Sequence, residues 1–445
     1  MIKTSLLLTL VCIGLSNCVK DPKVVCYYES WFAYPDSHGK GTMDIKDIDS
    51  SACTHIVYGY LGVTSSADVS VIDTTLVTQY HQFDNLLKYK GADKVLVALG
   101  GFNHAAELKY AVQNPTIFSS NVQSFLKKYS FDGIVIEWSA NAWSAEYMKD
   151  YITLLAHLKT DFAGKYVLGS IVAAEQPGYD IKGVAENVDF VSVQTFDYHG
   201  SWNTEVGHGA ALEDIERSMN RWADSLNADL YSRLLITLPF YGHTWILLDP
   251  KEHDIGAKAK TTGQPVGPFT QQPGKYAYNE VLLKIKDSPT GWSKVEDTKA
   301  GGTYFYKDDL WISVEDEANV KQKTNWATST GFGGVAVQAI NNDDFNGLVG
   351  KKHPLLTAVN DGLNKDPIVI HKTTTSSPIV TPDPHAICQK EGWVKDPTDP
   401  CTTYHHCIEF MPTIFTDEVH HCEKGKTAYD EVTHDCIDHT KVPGC

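Results

Sequence analysis

The most informative run in this chain is Phe131-Asp132-Gly133-Ile134-Val135-Ile136-Glu137-Trp138-Ser139. Its centre is an apolar run with the length of a buried strand. Because side chains alternate along a strand, Val135, Glu137 and Ser139 share one face. With Glu137 pointing inward, that face is expected to line the interior of a closed sheet.

Runs of this kind recur along the chain and are predicted to be strands. They span residues 24–31, 55–63, 95–101, 133–139, 166–174, 190–198, 234–242 and 333–340. Most gaps hold a helix-like stretch, such as 118–129 or 145–159, which is the alternation of parallel strands with crossover helices. Eight such units closing on themselves predict an α/β fold, the (β/α)8 TIM barrel, with its functional site at the carboxyl ends of the strands.

The competing fold is an open, doubly wound sheet. Such a sheet usually carries a glycine-rich phosphate-binding turn after its first strand. Here the first strand continues into Tyr27-Tyr28-Glu29-Ser30-Trp31, so the barrel is preferred.

The gap between the seventh and eighth predicted strands, about 243–332, is too long for one helix. It is rich in Gly, Pro, Tyr and Thr. This composition predicts an inserted α+β subdomain that forms one wall of a cleft.

The composition of the chain limits its number of domains and its classes of partner. It has 445 residues, 42% of them hydrophobic, which is enough for two or three domains with a large core. With 38 Lys and Arg against 55 Asp and Glu, the formal charge is -17. That charge repels phosphate groups, so neither nucleic acid nor an anionic membrane surface is an expected partner.

Residues 1–18 are predicted to be a signal peptide. Lys3 gives a positive end, residues 6–15 a short apolar core, and Ser16 and Cys18 the small residues before a cleavage site. The apolar run is shorter than the roughly 20 residues that cross a bilayer, which argues against a membrane anchor. The mature protein is therefore expected to be secreted.

Cysteine spacing predicts a second, separate domain. Only Cys26 and Cys53 lie between residues 19 and 387, whereas six cysteines fall within 388–445. We expect Cys26 and Cys53 to form a disulfide, because neighbouring barrel strands bring such positions within reach. A segment rich in Thr, Ser and Pro is predicted to be an extended linker. The predicted organisation is a signal peptide at 1–18, a barrel at 19–365, a linker at 366–386 and a disulfide-rich β module at 387–445.

The opening stretch resembles the signature of the chitinases of glycoside hydrolase family 18, D-G-x-D-x-D-W-E. The residues that keep the pattern are Asp132, Gly133 and Trp138. Val135 occupies the position of the second Asp, and Glu137 occupies that of the third. Ser139 replaces the glutamate that is the family's proton donor. The resemblance covers roughly residues 24–356, and it implies the barrel fold and chitin as the class of ligand.

Hydrolysis in that family needs one carboxylic acid at the leaving oxygen, because the substrate's own acetamide is the nucleophile. A serine hydroxyl is too weak an acid to replace it, and a positioned acid contributes roughly 100- to 10,000-fold in rate. Glu137 lies about 6 to 7 Å deeper along the strand than Ser139, which is out of reach of the glycosidic oxygen. Glu137 is either a sugar-binding group or a buried carboxylate satisfied by its neighbours.

Two further strand ends depart from the family pattern. The family has Met-x-Tyr-Asp where this chain has Gln194-Thr195-Phe196-Asp197, and a tryptophan under the sugar where this chain has Gln338. Together with Val135 and Ser139, four specialised groups have changed. The sequence therefore predicts a protein that is not an enzyme.

The aromatic residues that remain near the strand ends predict a carbohydrate site. Flat rings cover the apolar faces of a neutral sugar, and polar groups bind its edges. The expected barrel residues are Tyr27, Trp31, Phe102, Glu137, Asp197, Trp202, Tyr241 and His243. Further candidates are Asn103, Tyr198 and Trp245. Core packing is the competing interpretation of each aromatic, and no cofactor or metal is expected.

The terminal module resembles the peritrophin-A type of invertebrate chitin-binding domain. Cysteine spacing alone leaves fifteen pairings open. The resemblance implies the disulfides Cys388–Cys407, Cys401–Cys445 and Cys422–Cys436, and its expected sugar-binding aromatics are Trp393, Tyr404, Phe410 and Tyr429. A generic extracellular disulfide-rich module is the alternative.

The whole layout, down to residues 436–445, resembles the chitinase-like dust-mite allergens. It predicts a secreted, extracellular, catalytically inactive chitinase-like lectin of an arthropod gut or secretion, with chitin and chitooligosaccharides as ligands. Two alternatives stay open: a weak or rewired glycoside hydrolase, and an extracellular structural protein with vestigial sugar sites.

Overall fold

The computed structural model describes residues 21–88, 91–138, 147–175, 179–224 and 226–363, and the backbone of five strands between residues 392 and 438. The predicted signal peptide, Ser139 and the predicted linker lie outside the described residues. The chain divides into two units, Met1–Ile370 and His371–Cys445.

Eight parallel strands form a closed barrel in the first unit. In chain order, barrel strands 1 to 8 are Lys23–Glu29, His55–Val63, Lys94–Gly100, Gly133–Glu137, Val167–Ala173, Phe190–Gln194, Leu234–Pro239 and Gly334–Gln338. Each strand pairs with the next, and strand 8 pairs with strand 1, which closes the sheet. The predicted barrel is confirmed, and each strand starts within one residue of its predicted position.

Seven of the eight barrel strands end one to four residues earlier than predicted, and the ends of strands 1, 6 and 7 bear on the site. Strand 1 ends at Glu29, because the chain turns into the 3-10 helix Ser30–Ala33. Strand 6 ends at Gln194, and Asp197 after it has a φ of 60°, which is incompatible with an extended strand. Strand 7 ends at Pro239. Several aromatic residues expected at strand ends therefore lie on the segments that follow the strands.

Helices cover the outside of the barrel. The longer ones are Gln82–Lys88, Pro115–Tyr129, Met148–Phe162, Ile181–Asn187, Leu212–Asp224, Glu317–Thr330 and Pro354–Gly362. Shorter ones are Pro35–His38, Thr74–Thr78, Gly101–His104, Leu108–Gln113 and Ala228–Tyr231. In Leu212–Asp224 the buried residues Ile215, Met219 and Trp222 recur every three or four positions, which gives the helix one apolar face.

The barrel interior is filled by the inward side chains of its strands. The buried interior cluster consists of Val25, Tyr27, Val57, Leu96, Ala98, Val135, Ile171, Phe190, Leu235, Ala336 and Ala339. At Gly133 an added Cβ would come 2.0 Å from the Val167 carbonyl oxygen, so only glycine fits there. The Asp132 side chain accepts a hydrogen bond from the Val95 backbone at 2.8 Å. These two residues therefore hold barrel strand 4 against its neighbours.

The predicted α+β insertion follows barrel strand 7. Its strands are Tyr241–Leu247, Ala259–Lys260, Lys275–Ala277, Ser293–Asp297, Gly302–Lys307 and Leu310–Val314, and its helix is Tyr278–Asp287. Antiparallel pairing joins the strands into one sheet. The next helix, Glu317–Thr330, packs against barrel strands 7 and 8, so the inserted sheet ends at Val314, earlier than the expected boundary near residue 332.

A single residue, Phe240, connects barrel strand 7 to the first inserted strand. Its side chain is fully buried. Its backbone N–H donates to the Gln338 carbonyl at 2.8 Å, and its own carbonyl accepts from the Tyr278 N–H at 3.0 Å. The inserted sheet is thus fastened to the barrel at the point where it begins.

Cys26 and Cys53 form the predicted disulfide, with their Cα atoms 6.0 Å apart. Cys26 lies on barrel strand 1 in register with Ile56 of barrel strand 2. Cys53 lies just before that second strand, so the bond ties the starts of the two strands together.

The second unit contains β structure, as predicted for the terminal module. Strands Gly392–Lys395, Thr403–Met411 and Ile414–His421 form one antiparallel sheet, and Thr427–Asp430 pairs with Asp435–Asp438. The side chains of Trp393, Tyr404, Phe410 and Tyr429 and the six cysteines of the module lie outside the described residues. Their roles and pairing stay predictions.

Candidate functional site

The carboxyl end of the barrel carries polar side chains. Glu29, Glu137, Gln194 and Gln338 are the last residues of barrel strands 1, 4, 6 and 8. Residues two positions before them, such as Tyr27, belong to the barrel interior, so strand alternation points all four side chains inward. We call this end of the barrel the mouth; it consists of these four residues and the segments that follow barrel strands 1 and 6, residues 30–33 and 195–203.

Glu137 is a buried carboxylate with hydrogen-bonding neighbours. Its side chain is 6% exposed. Gln194 Nε2 donates to Glu137 Oε1 at 3.2 Å, and the Tyr60 hydroxyl also hydrogen-bonds to this carboxylate. Burial, together with the charge of Glu137, raises the pKa of Tyr60 well above its usual value, so Tyr60 remains a donor. Gln194 and Tyr60 are thus neighbours that contact Glu137, and its role in sugar binding stays a prediction.

Asp197 is fixed by two residues of the inserted sheet. Its Oδ1 accepts from the Tyr241 hydroxyl at 2.9 Å and contacts His243 Nε2 at 2.8 Å. Tyr241 and His243 are two residues apart on one strand and so share a face. Burial favours the neutral acid, but the hydrogen bond and charge of His243, aided by Lys275, lower the pKa of Asp197. Asp197 is therefore ionised at neutral pH.

Lys275 brings a cation into the same region. It lies on the inserted strand Lys275–Ala277, which pairs with the strand carrying Tyr241. Its Nζ stands 3.5 Å from the centre of the Tyr241 ring, in a cation–π contact. Sequence reasoning missed Lys275, because only the pairing of the inserted strands brings it to the barrel.

Glu29 is a second residue that sequence reasoning missed. Its Oε1 accepts from Gln338 Nε2 at 3.3 Å, and its backbone N–H donates to Asn341 Oδ1 at 2.8 Å. Burial raises the pKa of Glu29; Lys275 and Gln338 oppose that shift, and Glu137 adds to it. The alternation of Val25, Tyr27 and Glu29 along strand 1 was the signal that could have identified this side chain as inward-facing.

Three aromatic residues predicted for the site are exposed. Trp31 is 38% exposed, Phe102 73% and Trp202 56%. Trp31 stacks on Tyr60 with ring centres 6.4 Å apart, and Trp202 makes a T-shaped contact with His243 with ring centres 5.1 Å apart. Both tryptophans therefore adjoin residues that hydrogen-bond to the carboxylates of the site.

Other predicted aromatics are packing or positioning residues. Tyr27 is 2% exposed, and its hydroxyl bonds to Ser192 at 3.0 Å inside the barrel, so its ring has no free face for a ligand. Tyr241 is 4% exposed and holds Asp197. Tyr198 donates to Ser218 at 2.8 Å, and Trp245 is fully buried in the core of the inserted sheet. Strand alternation and the early strand ends explain these placements.

Two further observations concern only the described part of the chain. There, no helix has the length and apolar character needed to cross a membrane. In the same residues, no group of three or more His, Cys, Asp and Glu side chains is arranged to hold a metal ion.

Comparison with known proteins gives relatives over most of the chain. It is 34% identical over 447 residues to the chitinase-like mite allergen Der p 18.0101 of Dermatophagoides pteronyssinus, covering 96% of this chain and 94% of that one. The Group IV chitinase of Ostrinia furnacalis matches with a TM-score of 0.70 at 28% identity, over 77% of this chain and 100% of that one. A mutant of Group II chitinase catalytic domain 2 from the same organism, solved in complex with (NAG)5, matches with a TM-score of 0.71 at 25% identity, over 79% of this chain and 99% of that one.

The family described as glycosyl hydrolases family 18 matches residues 23–343. That range begins with barrel strand 1 and ends just after barrel strand 8, so it includes the inserted sheet and every residue of the mouth. The chain belongs to glycosyl hydrolase family 18.

Proposed function

We propose that this protein is a secreted, catalytically inactive lectin that binds chitin and chitooligosaccharides. One observation carries the proposal: Ser139 stands in the sequence where the family's proton donor belongs. The closest carboxylate along that strand, Glu137, is buried and hydrogen-bonded to Gln194 and Tyr60. A site without a positioned acid lacks a contribution of roughly 100- to 10,000-fold in rate.

The mouth offers the two kinds of contact that a sugar needs. Exposed rings of Trp31 and Trp202 present flat apolar faces. Asp197, ionised and held by Tyr241 and His243, is a fixed acceptor for hydroxyl or amide donors. The Ostrinia chitinase domain solved with (NAG)5 supports chitooligosaccharides as the ligand class.

The terminal module is proposed to hold the protein on insoluble chitin. A crystalline surface requires a flat, exposed platform, and residues 387–445 are proposed to supply one through Trp393, Tyr404 and Tyr429. Secretion is proposed from residues 1–18, which carry Lys3 ahead of a short apolar run.

A glycoside hydrolase built on other residues is the second candidate, and one observation favours it. Glu29 lies at the mouth with a raised pKa, mainly because of burial, and a carboxylic acid with a raised pKa is what a proton donor requires. If Glu29 served as the acid, Glu29→Gln would abolish measurable turnover.

The deciding experiment measures turnover and binding on the full chain. A chromogenic chitooligosaccharide should give no product above the enzyme-free control, while calorimetry should detect binding of chitotetraose. Turnover by the wild-type chain that Glu29→Gln removes would replace the lectin by the hydrolase, and absence of both binding and turnover would refute both.

Substitution of the exposed aromatic rings tests whether the sugar binds at the mouth. Trp31→Ala or Trp202→Ala should weaken binding of soluble oligosaccharide about tenfold, because one ring face buries roughly 50 to 100 Å2, or about 1 to 2.5 kcal/mol. Ile117→Ala is the matched control, since Ile117 is an apolar side chain 53% exposed on the helix Pro115–Tyr129. Equal affinities for all three variants would move the sugar site away from the mouth.

A further inference from the structure

Glu29 is held in place at the inner edge of the mouth. Its backbone is clamped from both sides by Asn341, whose Oδ1 accepts from the Glu29 N–H at 2.8 Å and whose Nδ2 donates to the Glu29 carbonyl at 3.2 Å. Gln338 Nε2 donates to Glu29 Oε1 at 3.3 Å. The residue as a whole is partly buried.

The charges around Glu29 leave the mouth negative. Among the described residues there are three carboxylates here, Glu29, Glu137 and Asp197; Lys275 lowers the pKa of Glu29 and of Asp197, and His243 contacts Asp197. Lys275 is directed to the face of the Tyr241 ring. Even with His243 protonated, the negative charges outnumber the positive ones.

The raised pKa of Glu29 is in part an effect of the negative charge around it. Burial raises its pKa first, and the nearby charge of Glu137 raises it further, against the lowering by Lys275 and Gln338. A second cation near Glu29 would favour the ionised carboxylate, because a nearby positive charge opposes the effect of burial on its pKa.

Independent features of the same site indicate a sugar as the ligand. The exposed faces of Trp31 and Trp202 adjoin Tyr60 and His243, which contact the carboxylates. A sugar ring placed on these aromatic faces would bring its ring substituents toward the carboxylates of the mouth.

We infer that the mouth selects oligosaccharides that carry a free, protonated amine, namely partly or fully deacetylated chitooligosaccharides, and that Glu29 is the residue that determines this preference. An ammonium group donates charge-assisted hydrogen bonds to a carboxylate. The acetamide of an N-acetylated unit has a neutral N–H donor and a carbonyl acceptor, so it gains no charge assistance from the carboxylates and is the weaker ligand for them. This inference rests on the proposed sugar-binding function of the mouth.

The test compares two soluble ligands of equal length on the full chain. Calorimetry just below neutral pH measures the affinity for tetra-glucosamine and for tetra-N-acetylglucosamine. We expect the wild-type chain to bind tetra-glucosamine about tenfold more tightly, and added salt to weaken that binding while leaving the N-acetylated ligand nearly unaffected. Glu29→Gln, which keeps the size and the acceptor for Gln338, should weaken tetra-glucosamine binding about tenfold.

A matched control uses Glu186→Gln. Glu186 is a carboxylate at the end of the helix Ile181–Asn187, where it pairs with Lys182, and it lies outside the mouth. This variant should retain the tenfold preference. Loss of the preference in both variants would show a general charge effect and overturn the assignment to Glu29.

The failure of this inference is distinguishable from that of the lectin proposal. Binding of the N-acetylated tetramer with no preference for the amine, or an unchanged preference in Glu29→Gln, would overturn the inference alone. Absence of binding to either tetramer would overturn the lectin proposal together with it.

Discussion

The Nε2 atom of His243 lies 2.8 Å from Oδ1 of Asp197 and joins the inserted sheet to the segment after barrel strand 6. Burial raises the pKa of Asp197, but His243 lowers it below its usual value. The negative charge of Asp197 therefore contributes to the contact between these two side chains.

Asp197→Asn should therefore destabilise the protein at neutral pH by roughly 1 to 2 kcal/mol, because hydrogen bonds to charged groups contribute about 1.5 to 3 kcal/mol and this side chain is partly exposed. Asn tolerates the positive φ of 60° at this position. Since the folded pKa of this acid is lowered, its stabilisation is present above the unfolded value, about 3.9, and is lost as pH falls through the folded pKa. Urea unfolding at neutral and acid pH measures the difference.

The control for that variant is Asp308→Asn. Asp308 also has a positive φ, 54°, but it is exposed in a turn of the inserted sheet. Its substitution should change stability little at either pH. An equal loss in both variants would attribute the effect to backbone conformation and not to the contact with His243.

The opposite pH dependence is expected at Glu29. A raised pKa means that the protonated acid is favoured in the folded state, so this contribution to stability is present below the unfolded pKa and lost as pH rises through the folded pKa. Glu29→Gln should be more stable than the wild type at neutral pH, with the difference shrinking on acidification. Thermal unfolding across this pH range tests it, and a variant less stable than wild type at neutral pH would contradict the assignment of burial as the main cause.

Removing the disulfide should cost stability without removing the fold. The bond Cys26–Cys53 closes a loop with a sequence separation of 27. Chain entropy then gives a stabilisation of roughly 3 to 4 kcal/mol. The double variant Cys26→Ala and Cys53→Ala should lose about that much in denaturant unfolding of the barrel. A loss below about 1 kcal/mol would show that the reduced, unfolded chain is already restricted there.

Ser139→Glu should restore little or no hydrolysis. The variant regains an acid, but Val135, Phe196 and Gln338 still replace the other specialised groups of the family pattern. Turnover of a chromogenic chitooligosaccharide should stay at the level of the enzyme-free control. Strong turnover by this single variant would show that the acid alone was missing.

Retention on insoluble chitin should depend on the terminal module. Deleting residues 366–445, or changing Trp393 and Tyr404 together to Ala, should abolish retention on chitin beads, with two lost rings weakening binding on the order of 100-fold. Binding of soluble oligosaccharide by the remaining barrel serves as the control for folding. Undiminished retention by the shortened chain would place the site for insoluble chitin in the barrel.

The barrel could be predicted from the sequence because each strand carries its own signal. The apolar run ending at Glu137, for example, is long enough to be recognised alone, and its start at Gly133 was correct. The predicted ends of strands 1 and 6 were wrong, because the turn after Glu29 and the positive φ of Asp197 depend on contacts with distant segments. The Cys26–Cys53 disulfide could be predicted because the order of the strands in the barrel makes strands 1 and 2 neighbours.

The site was only partly predictable for the same physical reason. Asp197, Trp31 and Trp202 could be proposed from the sequence because each follows a recognisable strand, and their role in binding stays a prediction. Lys275 was missed, since it lies about eighty residues further along the chain than Asp197 and reaches the site only through pairing of the inserted strands. Sequence pattern gives the direction of a side chain along its own strand, but not its partners from other strands.

The single-residue connection at Phe240 has a thermodynamic consequence. Since its backbone is bonded to both Gln338 and Tyr278, the inserted sheet cannot swing on this joint without breaking those bonds and the contact of His243 with Asp197. The inserted sheet and the mouth are thus held in one arrangement before any ligand binds, so little ordering entropy would be lost on binding and little contact energy would be consumed in a closing movement.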